Sequence, residues 1–136
     1  PQEGSASARL REVIAAVVQA IAANPDHPRI VLREFASGAA NLPPEILERM
    51  LGLLGRVRNL LDEGTGSGEF RPTDPVMTHL SLIGAVLMLS VVSPLRERAA
   101  NLSPTIEFPD ADTDIAEFLG DLLLQGIANS ETGESP

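Results

Sequence analysis

Apolar residues recur every three to four positions along most of this chain, and no segment alternates like a half-buried strand. The periodicity predicts five helices. The first covers about 7–23, with Leu10, Val13, Ile14, Val17 and Ile21 on one stripe and Asn24-Pro25 as its stop. The second starts at Asp26 or His27, carries Pro28 in its first turn, and stops at Gly38. The third starts at Pro43-Pro44-Glu45, repeats Ile46, Leu47, Met50, Leu53, Leu54, Val57, Leu60 and Leu61, and ends before Gly64. Thr65-Gly66-Ser67-Gly68 then reads as a flexible turn. Asp74 is placed to cap a fourth helix that has Pro75 at its first position and runs to about Val92; Pro94 kinks or ends it. A loop with Pro104 and Pro109 leads to a fifth helix over about 114–128, where Ile115, Phe118, Leu119, Leu122, Leu123 and Ile127 form the stripe. Asp110, Asp112 and Asp114 crowd its positive end.

The fourth helix is different in kind. Residues 75–95 read PVMTHLSLIGAVLMLSVVSPL, 21 positions without a charge. A helix apolar around most of its circumference must be covered on most sides. Three settings would do this: a membrane, the centre of a large core, or a place between its own domain and a second copy. Thr78, His79, Ser81, Ser90, Ser93, two prolines and the lack of flanking Trp, Tyr or Lys argue against a membrane. Five helices also offer few surfaces to wrap one helix completely. The second-copy setting is therefore expected. The small-residue side, Thr78, Ser81, Ala85, Met88 and Val92, is assigned to the partner because small side chains permit close approach. The bulkier side, Val76, Leu80, Ile83, Leu87 and Val91, is assigned to the interior. The plain alternative is that both sides are buried within one protomer.

Composition narrows the function. With 136 residues, 43% hydrophobic and 21% charged, the chain suits one domain with a real core. It has no Cys, which excludes disulfides, thiolate metal sites and cysteine nucleophiles. His27 and His79 are too few for a histidine-built metal site unless carboxylates join them. All ten basic residues are Arg, and with so much Ala, Gly and Leu this fits a bacterial source. The net charge of −9 is uneven: residues 106–136 carry eight acidic residues and no basic one, while 1–105 are nearly neutral. Nothing here forms a basic footprint for DNA or RNA. The acidic end reads as a solvated helix face followed by a loose tail at 129–136, with recruitment of a basic partner as the alternative. There is no secretory signal, and the start Pro1-Gln2-Glu3-Gly4-Ser5, without Met, reads as the flexible remnant (1–6) of a linker from a longer protein.

Three features carry a family resemblance. One is Pro28-Arg29-Ile30-Val31-Leu32-Arg33-Glu34-Phe35. Another is the long third helix closing on Leu61-Asp62-Glu63-Gly64. The third is the link Gly68-Glu69-Phe70-Arg71-Pro72-Thr73-Asp74-Pro75 into the uncharged helix. Over about residues 6–128 this layout resembles the C-terminal ligand-binding and dimerisation domain of TetR-family bacterial transcriptional regulators. The resemblance implies an all-α, five-helix bundle domain (7–128) whose last two long helices pair across a two-fold axis into a homodimer. Phe118, Leu119, Leu122 and Leu123 would then join the interface. It implies DNA contact only through an N-terminal helix-turn-helix unit that this sequence lacks. It also implies a pocket for a small-molecule effector among the first four helices, near which Val17, Phe35, Met50, Leu54, Val57, Met77, His79 and Leu80 are placed. In most of the family ligand binding releases DNA and relieves repression.

Each of these pocket residues also has a plain core reading, because apolar stripes at helical spacing are core by default. His79 reads either as a buried neutral imidazole or as a polar contact to ligand, and His27 as a surface residue. Arg33 and Glu34 read as a solvated ion pair or a ligand clamp. Glu45 with Glu48, or Asp110 with Asp112, lie at exposed helix starts with no environment that would suit general acid–base work, so neither is a candidate acid pair. No catalytic triad order, phosphate-binding glycine loop or metal spacing occurs. The expected function is a cytoplasmic effector sensor without cofactor or metal, acting as a homodimer and away from membranes. The alternative is a ligand-free helical dimerisation or adaptor module.

Overall fold

The computed structural model describes residues 4–105, 107 and 114–130. Six helices, not five, occur among them: α1 (Ala6–Ala22), α2 (His27–Ala36), α3 (Pro44–Ser67), α4 (Pro75–Val91), α5 (Ser93–Leu102) and α6 (Ile115–Ile127). The extra element is α5, on the segment where Pro94 was expected to kink or end the fourth helix. Proline is excluded from helix interiors but suits a first turn. It therefore restarts a helix here, and the axis bends by 67° between 75–91 and 94–102. No single helix among the described residues is long and apolar enough to cross a membrane. Asp110 and Asp112 lie outside the described residues.

Helix α4 sits at the centre and packs against α1, α2, α3 and α6, while α1 also packs on α3 and α6. Leu10, Val13 and Ile14 of α1, Val57 and Leu60 of α3, Leu82 and Val86 of α4, and Leu119, Leu124 and Ile127 of α6 meet in one core. The expected Asp74 cap forms, accepting from the Met77 amide at 2.7 Å, and of the aspartates crowding the last helix start Asp114 is a cap, accepting from the Glu117 amide at 2.9 Å. Each satisfies a helix-start donor that would otherwise be orphaned.

Helix α3 runs a full turn beyond its expected stop, through Gly64 to Ser67. The signal to stop is Gly68, at φ 82° in the left-handed region, whose amide bonds back to the Thr65 carbonyl. Gly64 has another purpose. The Phe70 ring lies over it so closely that a Cβ built there would sit 2.0 Å from Phe70 Cδ2. The Phe70 amide also donates to the Gly64 carbonyl at 3.0 Å. Phe70 is only 2% exposed and becomes one of the largest side chains in the core.

The rest of this link is bonded on both sides. The Glu69 carboxylate accepts from the Ala6 and Ser7 amides at 3.1 Å each and from Ser7 Oγ at 3.0 Å, so it caps the start of α1. Ser5 completes that cap by accepting from the Ala8 amide. These bonds, the Ser7 amide first, hold the Glu69 carboxyl below its ordinary pKa. Arg71 donates its amide to the Ile127 carbonyl and its Nε to the Gly126 carbonyl, both at 2.9 Å. Asn129, in the segment read as a loose tail, donates to the carbonyls of Glu69 and Gly68.

Gly64→Ala tests this seat. An exposed mid-helix Gly→Ala normally stabilises by up to about 1 kcal/mol. Here the added methyl collides with Phe70, and a loss of about 1–3 kcal/mol is expected, the usual cost of overpacking. Urea unfolding followed by far-ultraviolet circular dichroism reads the sign; a gain in stability refutes the contact.

Candidate functional site

A cavity of about 380 Å³ opens between α1, α2, α3 and α4. Its deep walls are apolar: Val17 and Ile21 from α1, Val31 from α2, Leu53 from α3, and Ile83 and Leu87 from α4. Val31 and Leu87 are buried, and Ile46 and Met50 close the α3 side. The rim is polar and solvent-exposed, formed by Asn24, His27 and Arg49 beside Ala20. Local sequence explains this division. Helix α1 ends at Ala22 and α2 starts at His27, so the turn between them brings Asn24 and His27 to the mouth. Arg49 is on α3, one residue before the inward-leaning Met50.

Only part of the expected pocket set lines this cavity: Val17 and Met50 do. The placement of the other six is corrected. Val57 is fully buried in the main core. Leu54 and Phe35 lie on their helices outside the lining, and Phe35 is largely at the surface. Met77 and Leu80 are 65% and 54% exposed on the outer side of α4. His79 is buried among the helices and is not part of the lining. Missed were Asn24, His27 and Arg49, because rim residues carry no periodic signal.

The second feature is the outer side of α4 with its neighbour α6. Val76, Met77, Leu80 and Met88 of α4 and Phe118 and Leu122 of α6 are all large, apolar and about half or more exposed. Of the set assigned to a partner, Ser81, Met88, Phe118 and Leu122 are exposed on this side. Thr78 and Leu119 are corrected: both are buried in their own protomer, and the Thr78 hydroxyl donates to the Asp74 carbonyl at 2.8 Å. Ala85 and Leu123 pack against the core, and Val92 is half-buried. The bulky side was expected inside, yet Val76 and Leu80 face out. The physical reason is the uniform hydrophobicity of α4, which leaves its rotation unspecified by pattern.

The remaining polar candidates resolve simply. Arg33 and Glu34 form no ion pair with each other and neither lines the cavity. The ion pairs among the described residues are Arg9 with Glu63 and Arg11 with Asp121, the second at 2.6 Å. No group of three or more His, Asp or Glu able to hold a metal occurs among the described residues.

His79 is 4% exposed, and its Nδ1 makes no hydrogen bond with the described residues. It lies one helical turn before Ile83, so it shares the side of α4 that lines the cavity. Burial without an acceptor penalises the imidazolium and pushes its pKa below the ordinary histidine value.

Comparison with known families places this geometry. Residues 3–90, well over half of the chain, match the family described as the tetracyclin repressor-like C-terminal domain. The chain belongs to that family, whose members are regulators rather than enzymes. The match covers α1 to α3 and nearly all of α4, the four helices that enclose the cavity. Searches of the curated proteins and of the solved structures return no match.

The His79 environment has a pH signature. A histidine whose folded pKa is depressed binds its proton more readily in the unfolded chain. Its contribution is therefore fully favourable above the unfolded value of about 6.5 and is lost as pH falls from there toward the folded pKa. The Tm of the wild-type chain should drop more between pH 7.5 and 5.5 than that of His79→Leu, which should remain folded because it replaces an unpaired polar group with an apolar one. Equal drops in the two proteins would remove His79 from the account.

Proposed function

We propose that this chain is the effector-sensing and dimerising domain of a TetR-like transcriptional regulator, most simply a repressor. A small apolar or amphipathic molecule enters the cavity between α1 and α4. A second copy covers the outer side of α4 and α6. DNA is read by a helix-turn-helix unit elsewhere in the full regulator, which places its work in the cytoplasm. The observation that carries this reading is the double use of α4. Ile83 and Leu87 line the cavity, while Met77, Leu80 and Met88 of the same helix form the exposed apolar side.

A rigid helix shared by two surfaces is a direct means of coupling. A ligand wedged against Ile83 shifts or tilts α4, and any shift changes how two copies meet. For a signal to pass, the ligand must bind one arrangement of α4 better than the other. Close packing in the core around Leu82 and Val86 favours movement of α4 as a unit. Several large apolar side chains this exposed on adjoining helices mark an association surface. The cavity weighs against the alternative of an adaptor module with a filled core.

The two surfaces should separate by mutation. Leu80→Glu with Leu122→Glu is expected to convert a dimer to a monomer in sedimentation velocity without loss of helix content. Ile83→Trp is expected to leave the dimer intact and to abolish the Tm gain produced by hits from a small-molecule screen. A wild-type chain that sediments as a monomer overturns the dimer reading. Hits that still stabilise Ile83→Trp overturn the cavity reading.

A further inference from the structure

We propose that the cavity selects a single-chain amphiphile with an anionic head, its hydrocarbon body inside and its head at the rim beside Arg49 and His27. This rests on the effector-cavity reading above and adds the chemistry of the ligand.

The argument starts from the division of polarity. The deep residues Ile21, Val31, Leu53, Ile83 and Leu87 offer no hydrogen-bond partner from their side chains, so the buried part of a ligand must be apolar. The polar lining side chains are Asn24, His27 and Arg49, and all three are exposed at the mouth. A ligand that is apolar throughout would leave this rim unused, and one that is polar throughout would strand its groups inside. An amphiphile oriented head outward satisfies both zones.

The sign of the head follows from the rim charges. No Asp or Glu lines the cavity. Glu45 and Glu48 share α3 with Arg49, but neither pairs with it; the ion pairs of the described residues lie elsewhere. The Arg49 guanidinium is therefore available, and its planar fork matches a carboxylate through two parallel hydrogen bonds. The imidazole of His27 and the side-chain amide of Asn24 can donate beside it. A quaternary ammonium would meet this cation with no carboxylate and no Phe, Tyr or Trp face among the lining residues to receive it. The chain as a whole carries −9, so its long-range field does not attract anions. Selection for an anion has to come from the rim itself.

Volume limits the body. At roughly 30 Å³ per non-hydrogen atom, the share of a water in its liquid, 380 Å³ accommodates on the order of a dozen such atoms. That suits one medium-length chain as the buried part of the ligand.

The test is calorimetry of the 136-residue chain with three ten-carbon probes below their micelle concentrations: decanoate, decanol and decyltrimethylammonium. Decanoate should bind at least severalfold more tightly than the other two, and added salt should weaken decanoate alone. Arg49→Gln, at an exposed position that does not threaten folding, should cost decanoate about fivefold, the scale of a solvent-exposed charge pair, and leave decanol unchanged. Decyl sulfate in place of decanoate distinguishes a general anion preference from a carboxylate one. Equal affinity for the three probes, or decanoate binding indifferent to Arg49→Gln, overturns the anionic head while leaving the cavity reading intact. Absence of binding by all three overturns both.

Discussion

The seating of Phe70 on Gly64 is the contact on which the rest of this structure depends. A phenylalanine ring can come that close to a helix backbone only where no Cβ intervenes. Once seated, it sets where the chain leaves α3 and where Glu69, Arg71 and Asp74 fall. Glu69 then reaches the free amides at the start of α1, Arg71 reaches the last turn of α6, and Asp74 begins α4. Three helices far apart in sequence are thus tied to one short link. The bonds are of ordinary strength individually, about 1 kcal/mol net each. Their effect is geometric: they define the frame in which α4 is suspended.

Helix α4 then has three environments. One side meets the core through Leu82 and Val86, one lines the cavity through Ile83 and Leu87, and one faces outward through Met77, Leu80 and Met88. An amphipathic helix would have only two. Uncharged sequence around the whole circumference is what allows a single helix to act as core element, cavity wall and exposed apolar surface. In the proposed sensor, this is also how a small displacement inside could be felt outside. The buried His79 lies one turn before Ile83 on the same helix, outside the cavity lining, with its Nδ1 unbonded to the described residues.

Much of this was legible from residue order. The cap at Asp74, the proline starts of α2, α3 and α4, and the stripes of α1 and α6 are local signals, and they were placed within a residue or two. The family was legible too, through the link from Gly68 to Pro75. Other features were misread for identifiable reasons. Gly64 resembles a helix stop, but its role is set by Phe70, six residues later in the chain. Pro94 resembles an end, but it serves as a first-turn residue of α5. Met77 and Leu80 were placed inward because nothing in an all-apolar helix states which side is which.

The sequence by itself determined the helical class, the element starts, the unusual character of 75–95 and the family, since these follow from short-range periodicity, capping and the order of elements. Only the tertiary structure decided the rotation of α4, the burial of Thr78, His79 and Leu119, and the meeting of Asn24, His27 and Arg49 at one cavity mouth. Those depend on how separate helices pack. Packing is set by shape complementarity between residues distant in the chain, and no local pattern records it.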